Sequence, residues 1–196
     1  MESVVSMLRA LSAPVVVLDL EFTAWEGSHA AGWSRPGEFR EIVQIGAVRL
    51  GPDLGERGWF NRLVRPVRNP RLSDYFIALT GITQQRLEAE GGRYPDVLQD
   101  FAAFVGDEAV VVLSNGSDGL VVAENCELAA VPCPIPAGRF IDVRRPLAEA
   151  QGVPVAVADS GALPRMIGLS LNHREHDALD NARSVAAALR HVAGRK

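Results

Sequence analysis

Cysteine is scarce in this chain, with only Cys126 and Cys133 among 196 residues. Two thiols cannot build a disulfide framework, so an apolar core must hold the fold, and a reduced cytoplasmic setting is the expectation. No stretch reaches the roughly 20 apolar residues of a membrane span, and no membrane partner is expected. The net charge of −4 argues against coating duplex DNA through a broad basic face, although a small site can still recruit phosphates through metal ions and a few arginines. Internal repeats, low-complexity tracts and composition shifts are all missing, so residues 1–196 read as one domain with one buried core. The segment Met1 to Leu20 lacks the basic start of a secretory signal, and its apolar part runs straight into Asp19 and Glu21. It reads as a short helix feeding the first strand. What is present, 47% apolar and 22% charged residues, has the balance of a soluble globular protein.

Strands and helices alternate along the chain. The first strand is the run Val15 to Thr23, followed by a long loop, Ala24 to Glu38, that carries Trp25 and Trp33. Glu41 to Leu50 is strand-like, and Gly58 to Val64 reads as its partner across a turn region from Gly51 to Arg57. These three predict an antiparallel meander. Ser73 to Glu90 is helical but broken at Thr80 to Thr83, with Thr83 placed to cap a new helix. A helix opening at Pro95 ends at Gly106. Ala109 to Leu113 predicts a central strand parallel to the first. Helix Leu120 to Ala130, a proline-rich connection from Val131 to Pro136, strand Arg139 to Val143 and helix Pro146 to Gln151 follow. Gly152 to Gly161 is weakly patterned, Leu163 to Leu169 holds one or two helical turns, and Asp177 to Ala193 is an amphipathic helix with Ala178, Ala182, Val185, Ala186, Leu189 and Val192 on one stripe.

The first strand would be ordinary but for its two acids. Asp19 and Glu21 lie one residue apart and therefore point to the same side. Burying an unpaired carboxylate costs several kcal/mol, so a close pair calls for a hard cation with oxygen ligands, magnesium or manganese. Alone, such a pair reads rather as a solvated strand end. Two other features share that ambiguity: Asp118, after the turn Ser114-Asn115-Gly116-Ser117, has the placement of a helix cap, and His176, at the mouth of the last helix, has that of a solvated cap residue, as does His173.

Together these three features resemble the DnaQ-like 3′-to-5′ exonucleases of the DEDDh group, in the branch of the histone-mRNA and small-RNA-trimming exonucleases. Leu18-Asp19-Leu20-Glu21-Phe22-Thr23 with Glu41-Ile42-Val43-Gln44-Ile45-Gly46-Ala47 is similar to the first exonuclease motif, Asp118 to the second, and His176-x-Ala178-Leu179-x-x-Ala182 to the third. Leu79-Thr80-Gly81-Ile82-Thr83 is similar to the substrate-side helix turn. The resemblance covers nearly the whole chain and implies an α/β, ribonuclease-H-like fold, a mixed five-stranded sheet flanked by helices. It implies hydrolysis of nucleotides from the 3′ end of single-stranded RNA or DNA with two Mg²⁺ or Mn²⁺ ions per site. Asp19 would bridge both ions, Glu21 and Asp118 would complete the two sites, and His176 would act as general base. Leu20, Phe22, Thr23, Leu79 and Thr80 would face the substrate, with Trp25 and Trp33 as further base contacts. A homodimer stays open.

The chain also departs from that pattern. The fourth acid, due five residues after the histidine, is Asn181, and the neighbouring acid is Asp180. At about 100° per residue, Asp180 falls opposite the apolar stripe and Asn181 at its border, so Asn181 is placed as the fourth metal ligand, through its carbonyl oxygen and without charge. Gly116-Ser117-Asp118 is one residue tighter than the family's second motif and lacks its aromatic residue. Three readings follow: a metal-dependent exonuclease attenuated at Asn181, a binding protein of the same fold that has lost catalysis, or an α/β scaffold with an unrelated role.

Overall fold

The computed structural model describes residues 13–106, 109–168 and 176–194; the expected N-terminal helix and His173 lie outside the described residues. β1, Val15–Phe22, is buried along its length except at Phe22. A strand covered on both faces needs no polar alternation, and this explains its continuous apolar run. The chain continues through α1 (Ser28–Ala31), β2 (Ile42–Leu50), β3 (Glu56–Leu63), α2 (Asp74–Thr80), α3 (Gln84–Glu90), α4 (Tyr94–Val105), β4 (Val111–Ser114), α5 (Asp118–Leu128), β5 (Phe140–Asp142), α6 (Arg144–Gln151), α7 (Leu163–Met166) and α8 (Ala178–Val192).

The strands form one sheet in the order β3-β2-β1-β4-β5. β1 to β3 are the expected antiparallel meander, while β4 lies parallel to β1 and β5 parallel to β4. β1 is thus the central strand, and β4 stands beside it rather than at the centre. The two faces of β1 bury different layers. Val15 and Val17 pack with Leu147, Leu163, Val185 and Leu189 of α6, α7 and α8, whereas Val16, Leu18 and Leu20 pack with Leu98 and Phe101 of α4 and Val121 and Val122 of α5. A smaller cluster around Val43, Phe76, Ile82 and Leu87 seats α2 and α3. Among the described residues no helix is long and apolar enough to cross a membrane.

Two residues of β2 fix where α8 begins. A Cβ on Gly46 would stand 2.2 Å from the Ala178 carbonyl carbon and the Leu179 nitrogen, so only glycine admits the helix at that distance. Gln44, fully buried, accepts from the Ala178 N–H at 3.1 Å and donates to Asp177 Oδ2 at 3.0 Å. Asp177 Oδ1 in turn accepts from the Leu179 and Asp180 N–H groups, capping the helix. The strand motif thereby docks the helix that carries Asn181.

Several boundaries differ from expectation. The Ala24 to Glu38 loop contains α1, a single turn set between two left-handed glycines, Gly27 at φ 78° and Gly32 at φ 58°. β3 starts at Glu56 rather than Gly58. β4 starts at Val111 and runs through Ser114, because pairing with β1 spans Val15 opposite Val111 to Leu18 opposite Ser114. α5 begins at Asp118, two residues early, since Gly116 at φ 139° completes the turn in three residues.

Candidate active site

Asp19 and Glu21 sit where β1 runs past the end of β4. Pairing between the two strands ends at Leu18 and Ser114, after which β4 turns away at Asn115, and a crevice opens at the carboxyl ends of the parallel pair. A register shift between Glu21 and Phe22 marks a bulge at the same place. Both acids lie on the Val15/Val17 face, the one covered by α8, and both are buried, at 7% and 8% exposure. α8 answers them with Asn181, whose Nδ2 donates to Asp19 Oδ2 at 3.2 Å and to Glu21 Oε1 at 3.4 Å. Its Oδ1 is buried with no hydrogen-bond partner among the described residues. Asp180 lies on a different side of the helix, with Arg183 Nη1 at 4.0 Å from its Oδ1.

Asp118 stands half-buried in the first turn of α5, near enough for its charge to raise both Asp19 and Glu21. Burial and the neighbouring Asp118 and Glu21 charges hold Asp19 well above the usual carboxylate range, against the hydrogen bonds from Asn181 and Ser160. Burial, with the charges of Asp177 and Asp118, pushes Glu21 up to about 8. Burial also raises Asp118, to about 6. Among the described residues no salt bridge involves any of the three.

The repulsion among these acids carries a pH signature. The folded chain keeps protons that unfolded carboxylates release near pH 4, so without divalent cations stability falls as pH rises from about 4 to about 8. A loss on the order of a few kcal/mol across that window corresponds to about 5 °C or more in Tm at this chain length. Calorimetry in chelator at pH 5 and pH 8 checks it, and Asp19→Ala should flatten the slope.

Asp19 and Glu21 line one wall of a cleft of about 540 Å³, and Asp118 is not among the residues lining it. Leu20, Phe22, Trp25, His29, Trp33, Tyr75 and Leu79 also line it, as do Asn115, Arg144, Ser160, His176 and Asn181. His176 stands exposed on the rim, in a left-handed backbone conformation at φ 60° just before the α8 cap. Trp33 is fixed by donation from Nε1 to the Thr23 carbonyl and by an edge contact with Phe22 at 5.2 Å.

Two residues expected to face substrate do not reach the cleft. Thr23 is 3% exposed, its hydroxyl donating to the Phe39 carbonyl and accepting from the Glu41 N–H; this closes the base of the α1 loop. Thr80, 2% exposed, donates to the Phe76 carbonyl and accepts from the Ile82 N–H, and so shapes the α2 end. Both hydroxyls are spent on backbone. Conversely, sequence reasoning missed Asn115, Ser160, Arg144, His29 and Tyr75, whose contacts with the site are long-range.

The donor set suits a hard cation: two buried carboxylates, and beside them the Asn181 carboxamide oxygen, without a hydrogen-bond partner among the described residues. Among the described residues, however, no three His, Cys, Asp or Glu side chains converge into a ready metal-binding group. The position that would complete one belongs to Asn181, which turns its N–H₂ toward the carboxylates. A half-turn of that amide exchanges donor for acceptor.

An exonuclease family model, RNase_T, matches residues 16–189. The chain is 26% identical over 182 residues to 3′-5′ exoribonuclease 1 of Rattus norvegicus, covering 88% of this chain and 50% of the relative. It is 28% identical over 211 residues to ERI1 exoribonuclease 2 of Mus musculus, covering 92% of this chain and 28% of the relative. The chain thus spans half the length, or less, of these curated relatives. The nuclease domain of 3′hExo, a DEDDh family member, bound to rAMP, superposes with a TM-score of 0.78 at 25% identity, over 93% of each chain.

Proposed function

Because the chain belongs to the RNase_T exonuclease family, with the ribonuclease-H-like mixed sheet expected from its sequence, we propose that it removes nucleotides from the 3′ end of single-stranded RNA or short single strands in a reaction that needs divalent cations. The observation that carries this reading is the buried pair Asp19 and Glu21, with Asp118 at its side and His176 on the rim of the cleft the pair lines. Magnesium or manganese, two ions in the full arrangement, would supply positive charge to the phosphoryl oxygens and lower the pKa of the attacking water when bound.

The residues of the chain divide the remaining work. Asp19, Glu21 and Asp118 would hold the ions, with Asn181 Oδ1 as an uncharged fourth ligand. The His176 imidazole takes the proton from the attacking water as general base. Phe22, Trp33, Tyr75 and Leu79 give apolar faces on which terminal bases can lie without regard to sequence. RNA is preferred because the curated relatives are exoribonucleases. The free thiols Cys126 and Cys133 support a cytoplasmic setting.

A second reading has its own observation. Asn181 donates to both carboxylates at once, and a neutral donor there does part of what a cation would do. A chain tuned in this way would bind single strands without cutting them.

The two readings separate on 5′-labelled RNA and DNA oligomers in manganese, magnesium or chelator. Exonuclease action gives a ladder shortening from the 3′ end that chelator abolishes and a 3′-phosphate block retards. Retention of the strand without a ladder supports the binding reading. His176→Ala should lower turnover by roughly 10²- to 10⁴-fold with little change in metal affinity; loss of metal binding in that variant would make the histidine a ligand instead.

A further inference from the structure

The strap between α6 and α7 lines the cleft and touches Asp19 through the Ser160 side chain. Ser160 donates from Oγ to Asp19 Oδ1 at 3.1 Å. Asn115, 8% exposed at the end of β4, holds that hydroxyl from behind. Its Nδ2 donates to the Ala158 carbonyl at 2.8 Å and to Ser160 Oγ at 3.4 Å. Arg144 also ties down the strap, from Nε to the Val155 carbonyl at 3.2 Å and from Nη2 to Asp159 Oδ1 at 2.6 Å. The strap is therefore fastened at Val155, Ala158 and Asp159, just ahead of Ser160, although its sequence carries no periodic pattern.

Geometry gives this chain of contacts a direction. Ser160 Oγ has one proton, and the Asp19 oxygen that receives it is not the one that Asn181 holds: Asn181 takes Oδ2 and Ser160 takes Oδ1. The two donors pin both oxygens of one carboxylate and so fix its plane. A ligand carboxylate that must serve cations in a defined orientation needs such support, and neighbours of this kind typically change metal affinity or activity by 10- to 100-fold.

We infer that Ser160 is a positioning residue for Asp19, itself aimed by Asn115, and that this pair sets the orientation of the central acid of the cleft. The consequence for cation binding rests on the exonuclease reading above; the hydrogen-bond chain does not.

Two measurements test the two parts. In chelator, Ser160→Ala should lower Tm by about 2–6 °C, the effect of removing a donor from a buried carboxylate in a chain of this size. In an Asp19→Ala background the same substitution should cost nothing further. An equal loss in both backgrounds would mean that Ser160 merely supports the strap, and overturns the inference. In manganese, followed by titration calorimetry, Ser160→Ala should weaken binding by about 10- to 100-fold while Ser160→Thr keeps it near the parent value. Asn115→Ala should weaken binding through the same route, and the double variant should be no worse than the weaker single one. Additive losses would place Asn115 on a separate function and overturn its half of the inference. If the parent itself binds no manganese, the exonuclease reading fails, and the chelator arm still decides whether Ser160 holds Asp19.

Discussion

Asp19→Ala should abolish nucleotide release while leaving the metal-free fold as stable as before, or more so. The loss of activity follows from the position of the residue. The charges of Asp118 and Glu21 both act on Asp19, so its removal takes away an acid at the heart of the proposed metal site. A drop of at least about 10³-fold is expected, beyond the 10- to 100-fold typical of residues that only support ligands. The stability effect has the opposite sign. Without cations Asp19 is a buried carboxylate repelled by two neighbours, and its removal relieves that repulsion, most at pH 8, where Glu21 is losing its proton. Asn181 keeps its second acceptor on Glu21, so only the Ser160 hydroxyl loses its partner. A Tm in chelator unchanged or raised by up to about 5 °C is the expected balance. Marked destabilisation of the metal-free variant would show that Asp19 is a structural residue.

The second large effect is a gain. Asn181→Asp should raise activity by about tenfold or more, most clearly when magnesium is limiting. Asn181 already stands against both acids from the buried side of α8, so the new carboxylate needs no movement of the helix to join them. It exchanges a donor that competes with cations for an anion that attracts them, and the affinity of oxygen-ligand sites rises with ligand charge. The same change should destabilise the metal-free protein by packing a fourth acid into the cluster, so chelator should lower Tm more in Asn181→Asp than in the parent. Asp180→Asn is the control. Asp180 lies beside Arg183 and outside the residues lining the cleft, and its loss should leave activity alone.

The parts of the molecule legible in the sequence are those whose signal is local. β1 announced itself because a strand covered on both faces is apolar throughout, and α8 because one stripe at helical spacing meets the sheet; its buried Ala182, Val185, Ala186 and Leu189 are the residues that stripe predicts. Helical phase likewise placed Asn181, not Asp180, on the side of α8 toward the sheet, where the structure has it against Asp19 and Glu21. The boundaries that moved depend on partners. Ser114 is a polar residue inside β4 because Leu18 and Asp142 pair with it, a fact absent from its neighbourhood in the chain. α1 is four residues long, too short for periodicity.

The supporting residues of the site were hidden for the same reason. Ser160 meets Asp19 across 141 positions of sequence, from a segment with no pattern, and Asn115 reads locally as a turn residue although its side chain reaches back to that segment. Thr23 and Thr80 erred in the other direction. Each lies within a motif that resembles a substrate-facing one, yet their hydroxyls close backbone turns. A motif names a stretch of chain, and burial decides which of its side chains are free to act.

The measurement that bears most directly on the account is the single-turnover rate of 3′-nucleotide release from a 5′-labelled RNA oligomer, followed as manganese is titrated into parent and Asn181→Asp protein. Release is expected from both, zero in chelator, with the variant saturating at a manganese concentration about tenfold lower or less. Release that persists undiminished in chelator, or that is missing from both proteins at saturating manganese, would contradict the assignment of Asp19, Glu21, Asp118 and Asn181 to a cation-dependent exonuclease site.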